Sequence, residues 1–333
     1  MPNLPYATGQ AFRQALLDRL RAAAGPEADA QQLLKEFAFD RLLARAFIAE
    51  PDHWVLKGGA GLSSQLPVAR HTRDIDLWLR DAVPQSQLPA RLQAVAGVDL
   101  GDFTKFTIMR RRPIVGFGEV TGWSFTATLG VSERPLHRFG VDVVTGARAV
   151  GEPERVPPLN PVEIPGLPKA DYVATAMPDN VAEKLRAILS PTVGGATSTR
   201  HRDLVDLALI ARQRPLDGAE LRAAVVAKFA ERGIPPPERF EVPDVARFAR
   251  GYRGDAPAAL RAELDFDQAT SLVKRLADPV LAGTAVGRWR PERGRWMELA
   301  PPELRRPEPR PEVALHERWA PPRLEINGHE LGL

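Results

Sequence analysis

The chain has 333 residues, of which 44% are hydrophobic and 26% charged, enough apolar content for a substantial core, so disorder is not the default. Its 45 Lys plus Arg against 42 Asp plus Glu give a formal charge of +3, which is compatible with an RNA partner but too small to demand one. The lack of cysteine excludes disulfides and thiolate metal sites; with no apolar run of about 18 residues and no signal-peptide pattern, the sequence reads as cytoplasmic with no membrane partner.

Apolar residues at helical spacing predict helices over 9–24 and 28–49, separated by Gly25-Pro26 and ended by Pro51-Asp52. In the second, Leu33, Leu34, Phe37, Phe39, Leu42, Leu43 and Phe47 make one broad apolar face, suited to bracing the strand that follows.

That strand opens the most informative stretch, Trp54 to Leu79. It holds an apolar run, a turn at Lys57-Gly58-Gly59, a short helix or loop, and a second strand ending in Asp74-Ile75-Asp76-Leu77. Side chains alternate along a strand, so Arg70, Thr72, Asp74 and Asp76 are expected on one side, successive members about 6.6 to 7 Å apart. Two carboxylates held together without a cation repel by ~2 to 3 kcal/mol at an effective dielectric of about 20. A divalent metal turns that cost into a binding site, and oxygen-only ligands suit Mg²⁺ or Mn²⁺ with substrate phosphates. Residues without Cβ let backbone amides approach a phosphate, so the glycine pair complements the carboxylates. An isolated Asp-x-Asp or Gly-Gly is ordinarily a solvated strand face or a turn; the series is what points to a nucleotide and a metal.

Lys57-Gly58-Gly59 followed by Arg70-x-Thr72-x-Asp74-Ile75-Asp76-Leu77 resembles the first motif of the DNA polymerase β-type nucleotidyltransferases. It is most similar to the AbiEii/AbiGii group, toxins of type IV toxin–antitoxin systems that include the MenT RNA nucleotidyltransferases. The 14 residues between Gly59 and Asp74 are a longer spacing than the broad superfamily pattern, and favour that group.

Further on, 85–95 reads as a helix, and strands are expected at 103–109, 122–129 and 136–144. The last embeds Asp142 between β-branched residues, and a buried carboxylate is costly unless paired or metal-bound. Its position matches the family's third carboxylate, which the resemblance assigns to the metal and to deprotonating the attacking hydroxyl. Arg110-Arg111-Arg112 reads as a solvated turn rather than an RNA groove. Six prolines over 151–169 predict a loop or linker.

Asp179 and Asn180 are candidate N-caps for a helix through Val181, Leu185, Ile188 and Leu189. A second helix, 199–211, puts Leu204, Leu207, Ala208 and Ala211 on one face with Asp203 and Asp206 outside it. Glu183-Lys184-Leu185 and Arg200-His201-Arg202-Asp203-Leu204-Val205-Asp206-Leu207 resemble the later motifs of the AbiEii group, with Arg202 where a lysine is commoner. The resemblance implies that Lys184 holds the triphosphate while Asp203 or Asp206 orients it or completes the active centre. From composition alone these are two amphipathic helices. The glycine-rich 191–198 reads as a connector. Helices are expected near 218–232, 242–252 and 256–277, then a Pro/Arg-rich tail in which Trp289, Trp296 and Trp319 imply irregular packing.

The expected fold is α+β, a polymerase β-type nucleotidyltransferase core with a mixed sheet plus a mainly helical C-terminal subdomain. The expected boundaries are 1–150 for the core, 151–169 for the linker, 170–282 for the helical subdomain and 283–333 for the tail. The implied activity is Mg²⁺- or Mn²⁺-dependent transfer of a nucleotidyl group from an NTP to an RNA, foremost a tRNA 3′ end, by a toxin countered by an AbiEi-like antitoxin. Catalysis and metal binding fall to Asp74, Asp76 and Asp142, with Lys184 and Asp203 assisting; nucleotide contacts fall to Lys57, Gly58, Gly59, Thr72, Lys184 and Asp206. A protein or small-molecule acceptor, or nucleotide and RNA binding without catalysis, are the alternatives.

Overall fold

Thr8 starts the first helix by accepting the Ala11 amide at 3.2 Å, and α1 (Gly9–Ala23) buries Phe12, Leu16 and Leu20, one residue per turn. Asp29 caps α2 (Ala30–Ala49) through the Gln31 amide, and every residue of α2 from Phe37 to Phe47 is buried. The computed structural model describes residues 4–24, 29–116, 120–190, 198 and 200–298.

Next come β1 (Trp54–Lys57), α3 (Gly58–Ser63), β2 (Asp74–Leu79), α4 (Leu88–Ala96), β3 (Thr104–Val115), β4 (Thr121–Val131), β5 (Arg134–Thr145), β6 (Glu154–Val156) and β7 (Tyr172–Ala174). They form one sheet in the order β3-β4-β5-β2-β1-β7-β6, in which β2 and β5, and β1 and β7, run parallel and the other neighbours antiparallel. Period-two alternation gives this sheet two chemically different faces. Ile75, Leu77 and Leu79, Phe125, Ala127 and Leu129, Val141 and Val143 are buried in one core cluster with residues of α1, α2 and α4. Asp74, Asp76, Ser124, Thr126 and Asp142 project from the other face.

The remaining chain builds α5 (Met177–Leu189), α6 (His201–Gln213), β8 (Leu216–Asp217), α7 (Gly218–Ala230), α8 (Val245–Asp255), α9 (Ala258–Glu263), α10 (Phe266–Leu281), β9 (Arg288–Arg290) and β10 (Arg295–Met297). Its helices share a second core cluster, which Leu62 and Leu66, just after β1, join from the sheet side. A mixed sheet followed by a mainly helical part is the expected α+β architecture.

Four local expectations are corrected. The segment 151–169, expected as a loop or linker without a regular element, is loop apart from one such element, β6, and buried Asp40 of α2 accepts the Leu159 amide at 3.0 Å, the Asn160 amide at 2.9 Å and the Tyr172 hydroxyl at 2.6 Å. Asp179 does not cap α5, which starts two residues earlier at Met177 with Pro178 in its first turn; its carboxylate accepts the Val150 and Gly151 amides. Arg110-Arg111-Arg112 lies inside β3 rather than in a turn. Residues 288–297 are a regular hairpin: buried Trp289 donates to the Ala211 carbonyl and Trp296 to the Leu276 carbonyl, so the indole N–H groups fix β9 and β10 on the helices. Trp319 and the connector residues 191–197 lie outside the described residues.

Candidate active site

β1, β2 and β5 put three carboxylates on one face by register alone. Asp76 is the partner of Asp142 across the parallel β2·β5 ladder and of Lys57 across the antiparallel β1·β2 ladder, while Asp74 is the partner of Gly140. Neighbouring strands stand about 4.8 Å apart, so Asp76 and Asp142 are immediate neighbours and Asp74 lies one alternation away. Gly58 closes the site from the β1 side. Its φ of +61° is left-handed, and a Cβ there would sit 2.0 Å from Asp76 Oδ2, so only glycine lets the backbone press on this carboxylate. A Cβ on Gly59 would meet Thr72 Oγ1 at 2.7 Å.

The electrostatics follow from that crowding. Burial pushes the Asp76 carboxyl up to about 7, Asp74 and Asp142 push the same way, and Lys57 only partly offsets them. A carboxylate in this state is short of positive charge. β2 begins at Asp74, so Arg70 and Thr72 precede the strand instead of sharing its face. The Thr72 hydroxyl is buried and donates to the Asp74 carbonyl at 3.1 Å, bracing the entry to the strand.

Across from this face, α5 and α6 contribute a buried ion network. The Lys184 ammonium donates to Asp206 Oδ2 at 2.5 Å and to Asp203 Oδ1 at 3.2 Å. Arg70 donates from Nη2 to the same Asp206 at Oδ2, 2.9 Å away, and its Nε lies 2.9 Å from Oδ1 as an ion pair. Burial opposes charge on both cations, yet the carboxylates win: Asp206 and Asp203 hold Lys184, and Asp206 holds Arg70, above their ordinary ranges. Asp206 is buried, contrary to its expected place outside the apolar stripe, because paired cations replace its water. Lys57 stands 3.7 Å from Glu183 of α5 and brings that carboxyl down to about 2 against the effect of burial.

Two groups therefore form. Lys57, Gly58, Gly59, Thr72, Asp74, Asp76 and Asp142 gather around the ends of β1, β2 and β5; Lys184, Asp203 and Asp206 form the network on α5 and α6 with Arg70. Glu183, which also adds repulsion at Asp76, links the two groups. Neither Glu183 as the partner of Lys57 nor Asp206 as the partner of Arg70 is marked in the sequence. A Glu beside a motif Lys is a weak signal, and the Arg70–Asp206 contact spans 136 positions. Hard oxygen donors on adjacent register positions, one pushed up to about 7 by burial and by its two carboxylate neighbours, fit a divalent metal. Among the described residues no three acidic or histidine side chains stand together as a metal shell. A cavity of about 790 Å³ opens elsewhere, beside Arg45, Phe103, Lys105 and Ser132, and none of the site carboxylates lines it.

Residues 41–283 match the family model described as nucleotidyl transferase AbiEii toxin, type IV TA system. No curated protein matches the chain. Among solved structures, JHP933 from Helicobacter pylori is 15% identical with a TM-score of 0.42, covering 77% of this chain and 94% of its own. A candidate nucleotidyltransferase from Helicobacter pylori is also 15% identical with a TM-score of 0.40, covering 76% and 96%.

Proposed function

The chain belongs to the AbiEii family of nucleotidyl transferase toxins of type IV toxin–antitoxin systems, and from that premise we propose that it moves a nucleotidyl group from an NTP to an RNA 3′ end, a tRNA acceptor end foremost. The observation that carries this reading is the register of Asp76 on Asp142 with Asp74 on the same face. Asp74, Asp76 and Asp142 would hold Mg²⁺ or Mn²⁺, which when bound neutralises triphosphate charge and lowers the proton affinity of the attacking hydroxyl.

In the proposed step the RNA hydroxyl oxygen bonds to the α-phosphorus, the bond from that phosphorus to the bridging oxygen breaks, and pyrophosphate leaves. Asp142 takes the hydroxyl proton. Lys57 and the Gly58 and Gly59 backbone, which flank Asp76 on the β1 side, meet the leaving phosphates. Lys184 is engaged with Asp203 and Asp206, so it serves the triphosphate only by exchanging a partner; in the structure as it stands it braces α5 against α6. The resulting toxin acts in the cytoplasm and is countered by an AbiEi-like antitoxin.

The experiment offers the protein each α-labelled NTP with Mg²⁺ and, separately, total RNA, total protein and small hydroxylated or amino compounds. Label on RNA 3′ ends is the expected result. Label on protein or small molecules alone overturns the acceptor, and label on nothing overturns the activity.

A further inference from the structure

The register row that passes through the carboxylates continues beyond them. Asp142 pairs with Ser124 of β4 and Ser124 with Arg112 of β3, so Lys57, Asp76, Asp142, Ser124 and Arg112 stand level on five adjacent strands. Alternation adds Thr126 and Thr128 of β4, Arg138 of β5, and Thr107 and Lys105 of β3 to the same face. From strand spacing Arg112 is roughly 10 Å from Asp142, and Arg138, four residues along β5, roughly 13 Å.

Three observations fit this face to a polyanion. The β3·β4 ladder is irregular between Arg110 and Arg112, and the bulge turns Arg112 onto the carboxylate face while Arg110 goes to the other, where it stacks 4.7 Å over the Trp123 ring. Lys105, Arg112 and Arg138 are exposed and have no ion pair or hydrogen bond among the described residues. On the described residues of β3, β4 and β5, Asp142 is the one carboxylate of this face. In-line displacement puts attacking and leaving oxygens on opposite sides of the phosphorus. With Lys57 and the glycine turn on the β1 side, the acceptor approaches from the β4 and β3 side.

We infer that this face of β3, β4 and β5 is the platform for the acceptor strand, with Arg112 and Arg138 taking phosphodiester groups of the last nucleotides of a single-stranded RNA end. The inference rests on the reading of Asp74, Asp76 and Asp142 as the transfer site. Of the β4 hydroxyls between the two arginines, Thr128 is half-buried while Ser124 and Thr126 are buried, and the open edge of the sheet at β3 lets the strand continue outward.

The test measures binding of a fluorescent single-stranded RNA oligonucleotide to the full chain by anisotropy at low and moderate salt. Wild type is compared with Arg112→Ala/Arg138→Ala and Arg112→Lys/Arg138→Lys, and NTP turnover onto saturating RNA is followed in parallel. Thermal melts confirm that each variant is folded. The Ala pair is expected to bind RNA about tenfold or more weakly and to lower the slope of log affinity against log salt by ~1.4, the Lys pair restores most of both, and the NTP KM stays unchanged. RNA binding by the folded Ala pair equal to wild type overturns the platform. So does a wild type that binds no RNA, which assigns the face to another partner. If the Ala pair loses RNA as expected but no protein transfers nucleotide, the platform stands and the transfer reading fails.

Discussion

Asp76 and Asp142 occupy partner positions on parallel strands, so two carboxylates face the same side of the sheet about one strand spacing apart. Without a cation this arrangement works against folding, and its sign can be measured. The Asp76 carboxyl sits at about 7 in the folded chain against 3.8 ordinarily. A group raised on folding contributes its stability below the unfolded value and loses it as pH rises through the folded one. Asp76→Asn should therefore melt close to wild type at pH 4 and at least about 2 °C higher at pH 8 in chelator, with Mg²⁺ narrowing the gap by stabilising wild type. Equal melting temperatures at both pH values would show that Asp76 is not strained by its neighbours.

Gly58 is the second point of leverage. Alanine there adopts a left-handed φ at a cost of about 1 to 2 kcal/mol and drives its Cβ into the Asp76 carboxylate. Gly58→Ala should lower kcat for transfer at least tenfold through displacement of Asp76. Gly59→Ala, whose Cβ meets Thr72 at Oγ1 and Cβ and Arg70 Nη2 at 3.4 Å but no site carboxylate, should do less. Kinetics on both variants check the order, and a milder effect at Gly58 contradicts the packing described.

The Lys184–Asp206–Arg70 network predicts asymmetric damage. Asp206→Ala leaves two cations buried together and should cost about 3 to 5 kcal/mol in urea unfolding. Adding Lys184→Met to Asp206→Ala should recover part of that loss. If the double variant is less stable than the single one by the full cost of losing Lys184, the pair is not coupled.

Glu183 stands 3.7 Å from Lys57, the cation that Asp76 faces across the β1·β2 ladder. Its carboxyl is lowered to about 2 from 4.5, so the pair stabilises the fold above pH 4.5 and is lost as pH falls toward 2. With Glu183 39% exposed at its side chain, screening keeps the contribution near 1 kcal/mol or less. Glu183→Gln should thus cost little stability at pH 7 and, by freeing Lys57, tighten NTP binding a few-fold. Weaker NTP binding in a stably folded Glu183→Gln would place Lys57 outside the triphosphate site.

Much of the sheet was readable because its signals are local. Alternation around Asp74 and Asp76, and β-branched residues flanking Asp142, name both the strands and the inward carboxylates. What was not readable depends on partners distant in the chain. Asp206 looks like a surface charge until Arg70 and Lys184 come to it, and Asp179 looks like a cap until the Val150 and Gly151 amides arrive. Three successive arginines break alternation and read as a turn, whereas an edge strand with a bulge tolerates them. Pro- and Arg-rich composition likewise hid the β9·β10 hairpin, whose order comes from two indoles reaching carbonyls on α6 and α10.

The most direct measurement is nucleotidyl transfer from α-labelled NTP to RNA by Asp76→Asn and by Asp142→Asn, each shown by circular dichroism and thermal melting to be folded. Both are expected to fall at least ~10²-fold below wild type at saturating Mg²⁺ and RNA. Transfer at the wild-type rate by either folded variant would contradict the assignment of this sheet face as the active site.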